Sequence, residues 1–469
     1  MCGIVGYVGY DEAAGKIIEG LKKLEYRGYD SSGIAILSDK GIELNKCKGE
    51  IKNLENMIAG RVPSGTCGIG HTRWATHGAP SDVNSHPHMD QSGRVALVHN
   101  GIVENYVELK EALINEHGIK FKSETDSEVI AQLVGVKYNA NGGDLEKAVY
   151  DATKEMRGTY AIGVIAEDTP NKIVAYRKEA PLIAGLGKKS NFIASDIPAL
   201  LKYTNDIFLI ENDEMVICTP DSITIKDKDG KEVKREAMKI TWSVEDAEKG
   251  GYEHFMLKEI NEQPKVVAET LNRRIDEDGK IKLDGINLTK EELDKYNKIY
   301  IVACGTAYHA GLVGKYVIEK MAGIAVEVDV ASEFRYRNPF IDEKTLFIAI
   351  SQSGETLDTL MSLRLAKEKG ARVLSVVNVV GSSIARESDD VFYTWAGPEI
   401  AVASTKAYTT QLVCMYLIAL YLGDIRGTLT DEYRKFILEE LQQIPEKIQE
   451  ILEEAPYIEK LAKRLYNKT

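Results

Sequence analysis

The sequence predicts two unlike halves: an α+β sandwich, then an α/β unit with a doubly wound parallel sheet. Three observations carry this. At 469 residues the chain is too long for one ordinary core, so two or three domains are expected. Up to about Thr219, short β-branched stretches (GIVGYVG, GIAILS, GRVALVHNG, YAIGVIAE, KIVAYR, NFIAS, MVICT) alternate with Gly, Asp and Asn turns and few helices. Later the pattern becomes strand, loop, helix: KIYIVACG then TAYHAGLVGKYVIEKMAG, TLFIAIS then QSGETLDTLMSLRLAKEKG, RVLSVVNV then GSSIARES. Apolar strands alternating with amphipathic helices are the pattern of a parallel sheet covered on both faces.

The elements follow in order. EAAGKIIEGLKKLEYRG has apolar residues at helical spacing and is expected to run to Gly28. TDSEVIAQLVGVKY begins with Thr125 and Glu128 at the spacing of a capping box. SITIKDKDGKEVKRE reads as a charged hairpin around Asp229 and Gly230, followed by the linker TWSVEDAEKGGYEH. The expected organisation is a first domain over 2–240, a linker with leading helices over 241–294, an α/β domain over 295–430 and a helical connector over 431–469.

Composition narrows the function. The net charge is −13, and no basic stretch is interleaved with aromatic residues, so nucleic acid is not an expected partner and a small solute is. The six cysteines, Cys2, Cys47, Cys67, Cys218, Cys304 and Cys414, lack CxxC spacing, which speaks for a reducing, cytoplasmic setting without a zinc ribbon or disulfide framework. The longest apolar run, QLVCMYLIALYLG, is too short for a membrane span, no signal peptide precedes Cys2, and no membrane partner is expected.

Cys2 follows an initiator methionine that its small side chain allows the cell to remove. The residue would then carry a thiol of pKa about 8.5 and a free α-amine of about 7.7–8.0 on one carbon, a nucleophile beside a weak base. Its position alone fits equally a small apolar residue opening a buried strand. Five of the eight histidines fall in GHTRWATHGAPSDVNSHPHMDQSGRVALVHNG, without the cysteines or paired carboxylates of a metal site, so no metal is expected. Arg73 presents a planar fork suited to a carboxylate, and Asp126 can hold an ammonium group, together matching the two ends of a free amino acid. A surface ion pair for Arg73 and a helix-start carboxylate for Asp126 are the alternatives. Asn100 and Gly101 offer a side-chain amide and a backbone N–H to an oxyanion, or else form a tight turn after an apolar strand.

MCGIVGYVG, LEYRGYDSSGIA, GHTRWATHG, NSHPH, VHNGIVEN and SETDSEVI occur in this order and closely resemble the class II glutamine amidotransferases. The resemblance implies an N-terminal-nucleophile fold with Cys2 as nucleophile and Asn100 and Gly101 as oxyanion donors. It also implies Arg27 near the terminal amine, Arg73, Thr76, His77 and Asp126 around glutamine, and Trp74 as an ammonia gate.

In the second half, Ser351, Gln352, Ser353 and Thr356 of SQSGET surround a helix N-terminus after a strand, an arrangement suited to an anion. Ser404 and Thr405 repeat it, and Cys304, Gly305 and Thr306 close the first strand; capping of the helices is the alternative use of these hydroxyls. CGT, SQSGET, ASEFRYR, NVVGSS, RESD and VASTKA closely resemble a sugar-isomerase (SIS) domain, the first of two in a family of phosphosugar amidotransferases. That likeness implies fructose 6-phosphate held by Thr306, Ser351, Gln352, Ser353, Thr356, Val402 and Ser404, with Cys304 and Gly305 lining the loop. It further implies a homodimer formed through the SIS domain, and no metal or organic cofactor. Ala307 departs from the family, where a hydroxyl is common. The family continues into a second SIS domain and a tail carrying its isomerase groups. His309 and Glu355 are the only tempting substitutes, and they read as a helix-surface residue and a loop cap. The resemblance therefore implies an amidotransferase that hydrolyses glutamine at Cys2 through a thioester and passes the ammonia to fructose 6-phosphate to make glucosamine 6-phosphate. Residues 1–469 by themselves are expected to show glutaminase activity and phosphosugar binding but little aminosugar formation. A free-standing glutaminase and a phosphosugar-sensing protein are the rival readings, and the acidic motif of the amidophosphoribosyltransferases is missing.

Overall fold

The computed structural model describes residues 2–75, 78–240, 249–272, 274–275, 280–283, 285–286 and 288–468. It divides into two compact units, Met1–Val244 and Glu245–Thr469. The linker expected at 241–254 lies partly outside the described residues.

In the first unit two antiparallel sheets face each other. One has eight strands in the order Met238–Lys239, Asp206–Leu209, Ile183–Leu186, Ser190–Ala194, Gly3–Gly9, Cys67–Arg73, Ser31–Ser38, Gly41–Lys48. The other has six, in the order Ile223–Lys226, Glu214–Cys218, Ile173–Lys178, Gly158–Ala166, Val95–Val103, His88–Met89. Alternate residues of both sheets, among them Ile4, Val8, Ile69, Val98, Ala161 and Ile193, meet in one buried cluster, as the period-two pattern requires. The helix Ala13–Lys23 buries Ile17 and Leu21 over the outer face of the first sheet, where Gly70 leaves room for them. Asp126–Ala140 and Leu145–Glu155 cover the second, their Val129, Ile130, Val149 and Ala152 packing on Val95, Leu97, Tyr160 and Ile162. The result is four layers, helix, sheet, sheet, helix.

Three local expectations change. The first helix ends at Lys23, because Leu24 leaves helical geometry; a separate 3-10 turn, Glu25–Arg27, carries Arg27. Thr125 does accept the Glu128 amide at 3.2 Å, but the Glu128 carboxylate bonds the amides of Lys122 and Ser123, so the capping box is half formed. Asn100 and Gly101 are not a turn. They lie inside Val95–Val103, which pairs with Gly158–Ala166 along its whole length, and Gly101 takes φ +118 there. A Cβ at that position would stand 2.0 Å from the Thr159 carbonyl oxygen. The expected hairpin keeps its turn at Asp229–Gly230, and its return limb is a single bridge from Lys226 to Glu232.

The second unit holds a parallel five-stranded sheet ordered Ala325–Val330, Lys298–Ala303, Thr345–Ser351, Arg372–Val377, Asp390–Tyr393. Ile299 and Ile301 face Gly305–Ala322, Lys406–Arg426 and Phe255–Asn272, while Tyr300 and Val302 face Ala331–Phe334 and Leu357–Glu368. The chain order reverses between Lys298–Ala303 and Thr345–Ser351, so the switch point lies at Cys304 and Ser351. The longest apolar run sits within Lys406–Arg426, a 21-residue helix long and apolar enough to cross a bilayer, with Val413, Cys414, Met415, Leu417 and Ile418 buried against the sheet. Asp431–Glu453 is more than a connector, since Leu438 and Leu441 join the same core; Ala455–Leu465 buries none of its residues.

His71, His88 and His99, on strands of the two sheets, and His86, two residues before His88, are buried, with the rings of His71 and His86 stacked at 4.0 Å. Burial holds His71 down to about 3 and keeps His86 and His88 well below the ordinary histidine value of 6.5. The unfolded chain takes up these three protons near pH 6.5 and the folded one does not. Stability is therefore complete above about pH 6.5 and falls as the pH is lowered toward 3. Chemical denaturation at pH 7.5 and 5.5 is expected to register a loss for the first unit of at least about 1 kcal/mol, the share of His71, with His86 and His88 adding in the same direction.

Candidate functional site

The first site gathers at the head of Gly3–Gly9. Cys2 precedes this central strand, which is paired on both sides, so the thiol is anchored while the residue's N-terminal side stays outside the sheet. The Trp74 amide donates to Cys2 Sγ at 3.3 Å. Partial burial pushes the thiol up from its ordinary value, against the pull of the Trp74 amide and the charges of Arg73 and Arg27. A thiol so raised needs a base before it can attack. The Cys2 carbonyl accepts from Arg27 Nε at 3.3 Å and from Asn100 Nδ2 at 3.2 Å. Arg27 is fixed in turn by a 2.6 Å ion pair with Asp196.

Asn100 is clamped at both ends of its amide, with Nδ2 donating to Ser195 Oγ at 2.8 Å and Oδ1 lying 3.0 Å from His71 Nε2. Arg73 is 3% exposed and donates to the Gly78 carbonyl at 3.1 Å, so it is not a surface ion pair. Burial lowers its pKa, and Cys2, Asp126 and Asp30 oppose that shift. Asp126 opens its helix as a helix-start carboxylate would, but it is buried and its Oδ2 accepts the Val103 amide at 3.0 Å. The Trp74 ring is 44% exposed and stands edge-on to Tyr29. Thr76 and His77 lie outside the described residues. Cys2, Arg27, Arg73, Asn100 and Asp126 thus form one electrostatic and hydrogen-bonded neighbourhood. Ser195, Asp196 and His71 belong to it without having been singled out from the sequence. Among the described residues no group of three or more His, Cys, Asp or Glu is placed to hold a metal.

The second site lies at the switch point of the parallel sheet. Ser351 Oγ accepts the Gly354 amide at 3.0 Å and lies 2.9 Å from Thr356 Oγ1; Ser353 Oγ accepts the Glu355 amide at 3.1 Å. Thr356 opens Leu357–Glu368 without a side-chain capping bond, so its hydroxyl is not used as a cap. Gly354 takes φ +64, and a Cβ there would stand 1.9 Å from Ser382 Oγ. The Glu355 carboxylate accepts from the Ser383 amide and hydroxyl at 2.7 and 2.9 Å, tying the loop to the next strand's connection. Cys304, at the start of Gly305–Ala322 and raised by burial, faces Thr359 of Leu357–Glu368; Gly305 and Thr306 are exposed beside it. Ala307 is buried in the apolar core, a place where a hydroxyl would need a partner. Gln352 is half-buried, and its carbonyl accepts the Asn378 amide at 3.1 Å. His309 is on the exposed helix surface.

The Ser404–Thr405 turn departs from the expected anion site. Glu399 already takes its donors, accepting from Ser404 Oγ at 2.9 Å and from the Thr405 and Ala407 amides at 2.8 and 3.1 Å. Val402 is 76% exposed on this loop, which Glu259 holds from behind through the Ile400 and Ala401 amides at 2.6 and 3.0 Å.

The pattern of a glutamine amidotransferase domain matches residues 71–202, and that of a SIS domain matches residues 292–421. A glutamine–fructose-6-phosphate aminotransferase (isomerizing) of Clostridium tetani is 58% identical over 468 residues, all of this chain and 76% of that protein. One from Thermus thermophilus is 49% identical over 467 residues, 99% of this chain and 76% of that protein. Among solved structures, the C-terminal domain of glucosamine-fructose-6-phosphate aminotransferase from Francisella tularensis is 44% identical, covering 47% of this chain and 62% of that one, with a TM-score of 0.44. With both domain patterns present in order and such identity along its whole length, this chain belongs to the family of isomerizing glutamine–fructose-6-phosphate aminotransferases.

Proposed function

We propose that the chain hydrolyses glutamine at Cys2 and delivers the ammonia to fructose 6-phosphate, giving glutamate and glucosamine 6-phosphate. The observation that carries the first half is the convergence of the Trp74 amide and the clamped Asn100 amide on Cys2. Removal of Met1 leaves an α-amine on the nucleophile's own carbon. This amine, directly or through one water, accepts the thiol proton, since among the described histidines His71 and His99 are bonded to Asn100 and Ser127. The thiolate attacks the γ-carbonyl, and the oxyanion is met by Asn100 Nδ2 and the Gly101 amide. Ammonia leaves with the proton from the amine, and water then releases glutamate from the thioester. Arg73 holds the substrate carboxylate and Asp126 its ammonium group, with Arg27 beside the terminal amine and Trp74 gating ammonia; the roles of Thr76 and His77 in binding glutamine rest on the family likeness alone.

For the acceptor, the hydroxyls of Ser351, Ser353 and Thr356 ring the phosphate at the start of Leu357–Glu368, with Gln352, Cys304, Gly305 and Thr306 beside it. The Ser404 and Val402 loop reaches the sugar once Glu399 yields its donors. The cytoplasmic setting and a homodimer through the SIS unit rest on the family likeness, with six free cysteines consistent with the former.

Two measurements test this reading. Ammonia release from glutamine should vanish in Cys2→Ala, and should nearly vanish in chains that mass spectrometry finds still carrying Met1, whose amine is then remote from the thiol. Calorimetric titration with fructose 6-phosphate should show binding that Gly354→Ala weakens about 5- to 150-fold, because strain of about 1–3 kcal/mol is forced on the loop proposed to hold the phosphate.

A further inference from the structure

We infer that His71 is a positioning residue for glutamine hydrolysis: it fixes which end of the Asn100 carboxamide faces Cys2. The inference rests on the oxyanion role proposed for Asn100. His71 Nε2 lies 3.0 Å from the His99 carbonyl oxygen and 3.0 Å from Asn100 Oδ1. A backbone carbonyl only accepts, so the ring proton is on Nε2, and whatever Asn100 sets beside it must be an acceptor. The amide oxygen is thereby committed to His71, and the nitrogen is directed toward Ser195 Oγ at 2.8 Å and the Cys2 carbonyl at 3.2 Å.

A half-turn of the amide is refused on both sides. It would set NH2 against the Nε2–H and a carboxamide oxygen against the Cys2 carbonyl. It would also present an acceptor where the reaction develops negative charge. Ser195 alone does not choose between the two orientations, because a hydroxyl both donates and accepts; its oxygen already accepts the Ile4 amide at 2.8 Å. His71 is the side chain that discriminates, and it acts together with the longer 3.2 Å contact to the Cys2 carbonyl. Its ring is wholly buried and stacked on His86 at 4.0 Å, which holds the imidazole plane while Nε2 points at the asparagine. Burial also keeps His71 neutral at any working pH, so its role is that of a fixed donor.

The test compares steady-state glutaminase kinetics of the full chain with the rate at which iodoacetamide alkylates Cys2, in the unsubstituted protein, His71→Leu, His71→Gln and Asn100→Ala. His71→Leu is expected to lower kcat about 10- to 100-fold, part of the cost of losing one oxyanion donor, with KM within about twofold. Cys2 alkylation should be unchanged, since the nucleophile and its base are intact. His71→Gln, whose side-chain N–H can reach Asn100 Oδ1, should recover most of kcat. An unchanged kcat in His71→Leu overturns the inference. So does a parallel fall in kcat, substrate affinity and alkylation that His71→Gln does not relieve, which marks a purely structural role. If His71→Leu does not fold, His71→Asn, too short to reach, replaces it, and equal kcat in the Gln and Asn variants overturns the inference. Full activity in Asn100→Ala would instead remove the oxyanion reading itself, separately from the role of His71.

Discussion

The pairing of Gly3–Gly9 between Cys67–Arg73 and Ser190–Ala194 is the constraint on which the first unit's chemistry depends. A nucleophile at the start of a chain would ordinarily fray with its terminus. Here the residue next to it is locked in the middle of an eight-stranded sheet. The neighbours in that sheet supply much of the neighbourhood: Arg73 ends one flanking strand and Trp74 follows it, and Ser195 and Asp196 follow the other. Val95–Val103 of the opposing sheet brings Asn100. The sandwich thus brings two strand ends and the interior of a third strand, from three remote parts of the chain, to one thiol.

Electrostatics within that cluster are graded by burial. Arg27 is neutralised by Asp196, and Arg73 lies among Cys2, Asp126 and Asp30. Burial keeps His71, His86 and His88, behind Asn100, uncharged. Their clustering, which in the sequence resembles a ligand set, packs as stacked and edge-on rings with His88 against Thr125 and His99 against Ser127. Rings stacked this way back the His71 imidazole and hold its Nε2 against Asn100, which an apolar core would not provide.

Much of this was legible locally. Strands and helices of both units follow from periodicity, and SQSGET reads correctly as a hydroxyl-rich loop before a helix. Three features were not. Asn100-Gly101 has the composition of a turn, but pairing with Gly158–Ala166 carries the strand through it. Ser195 and Asp196 act on residues 95 to 169 positions away, so no window of sequence displays the relation. Ser404-Thr405 has the same local signature as the Ser351–Thr356 loop, yet Glu399, five residues before Ser404, fills its donors. In each case a partner outside the motif decides what the motif does.

The central claim is that Cys2, once it is the first residue, is the nucleophile. Intact-mass and peptide analysis after treatment with a γ-electrophilic glutamine analogue tests it most directly. The account predicts one adduct per chain, on Cys2 of the Met1-free protein, with glutamine itself protecting against it. Labelling at any of the other five cysteines, or undiminished glutamine hydrolysis by fully Cys2-labelled protein, would contradict it.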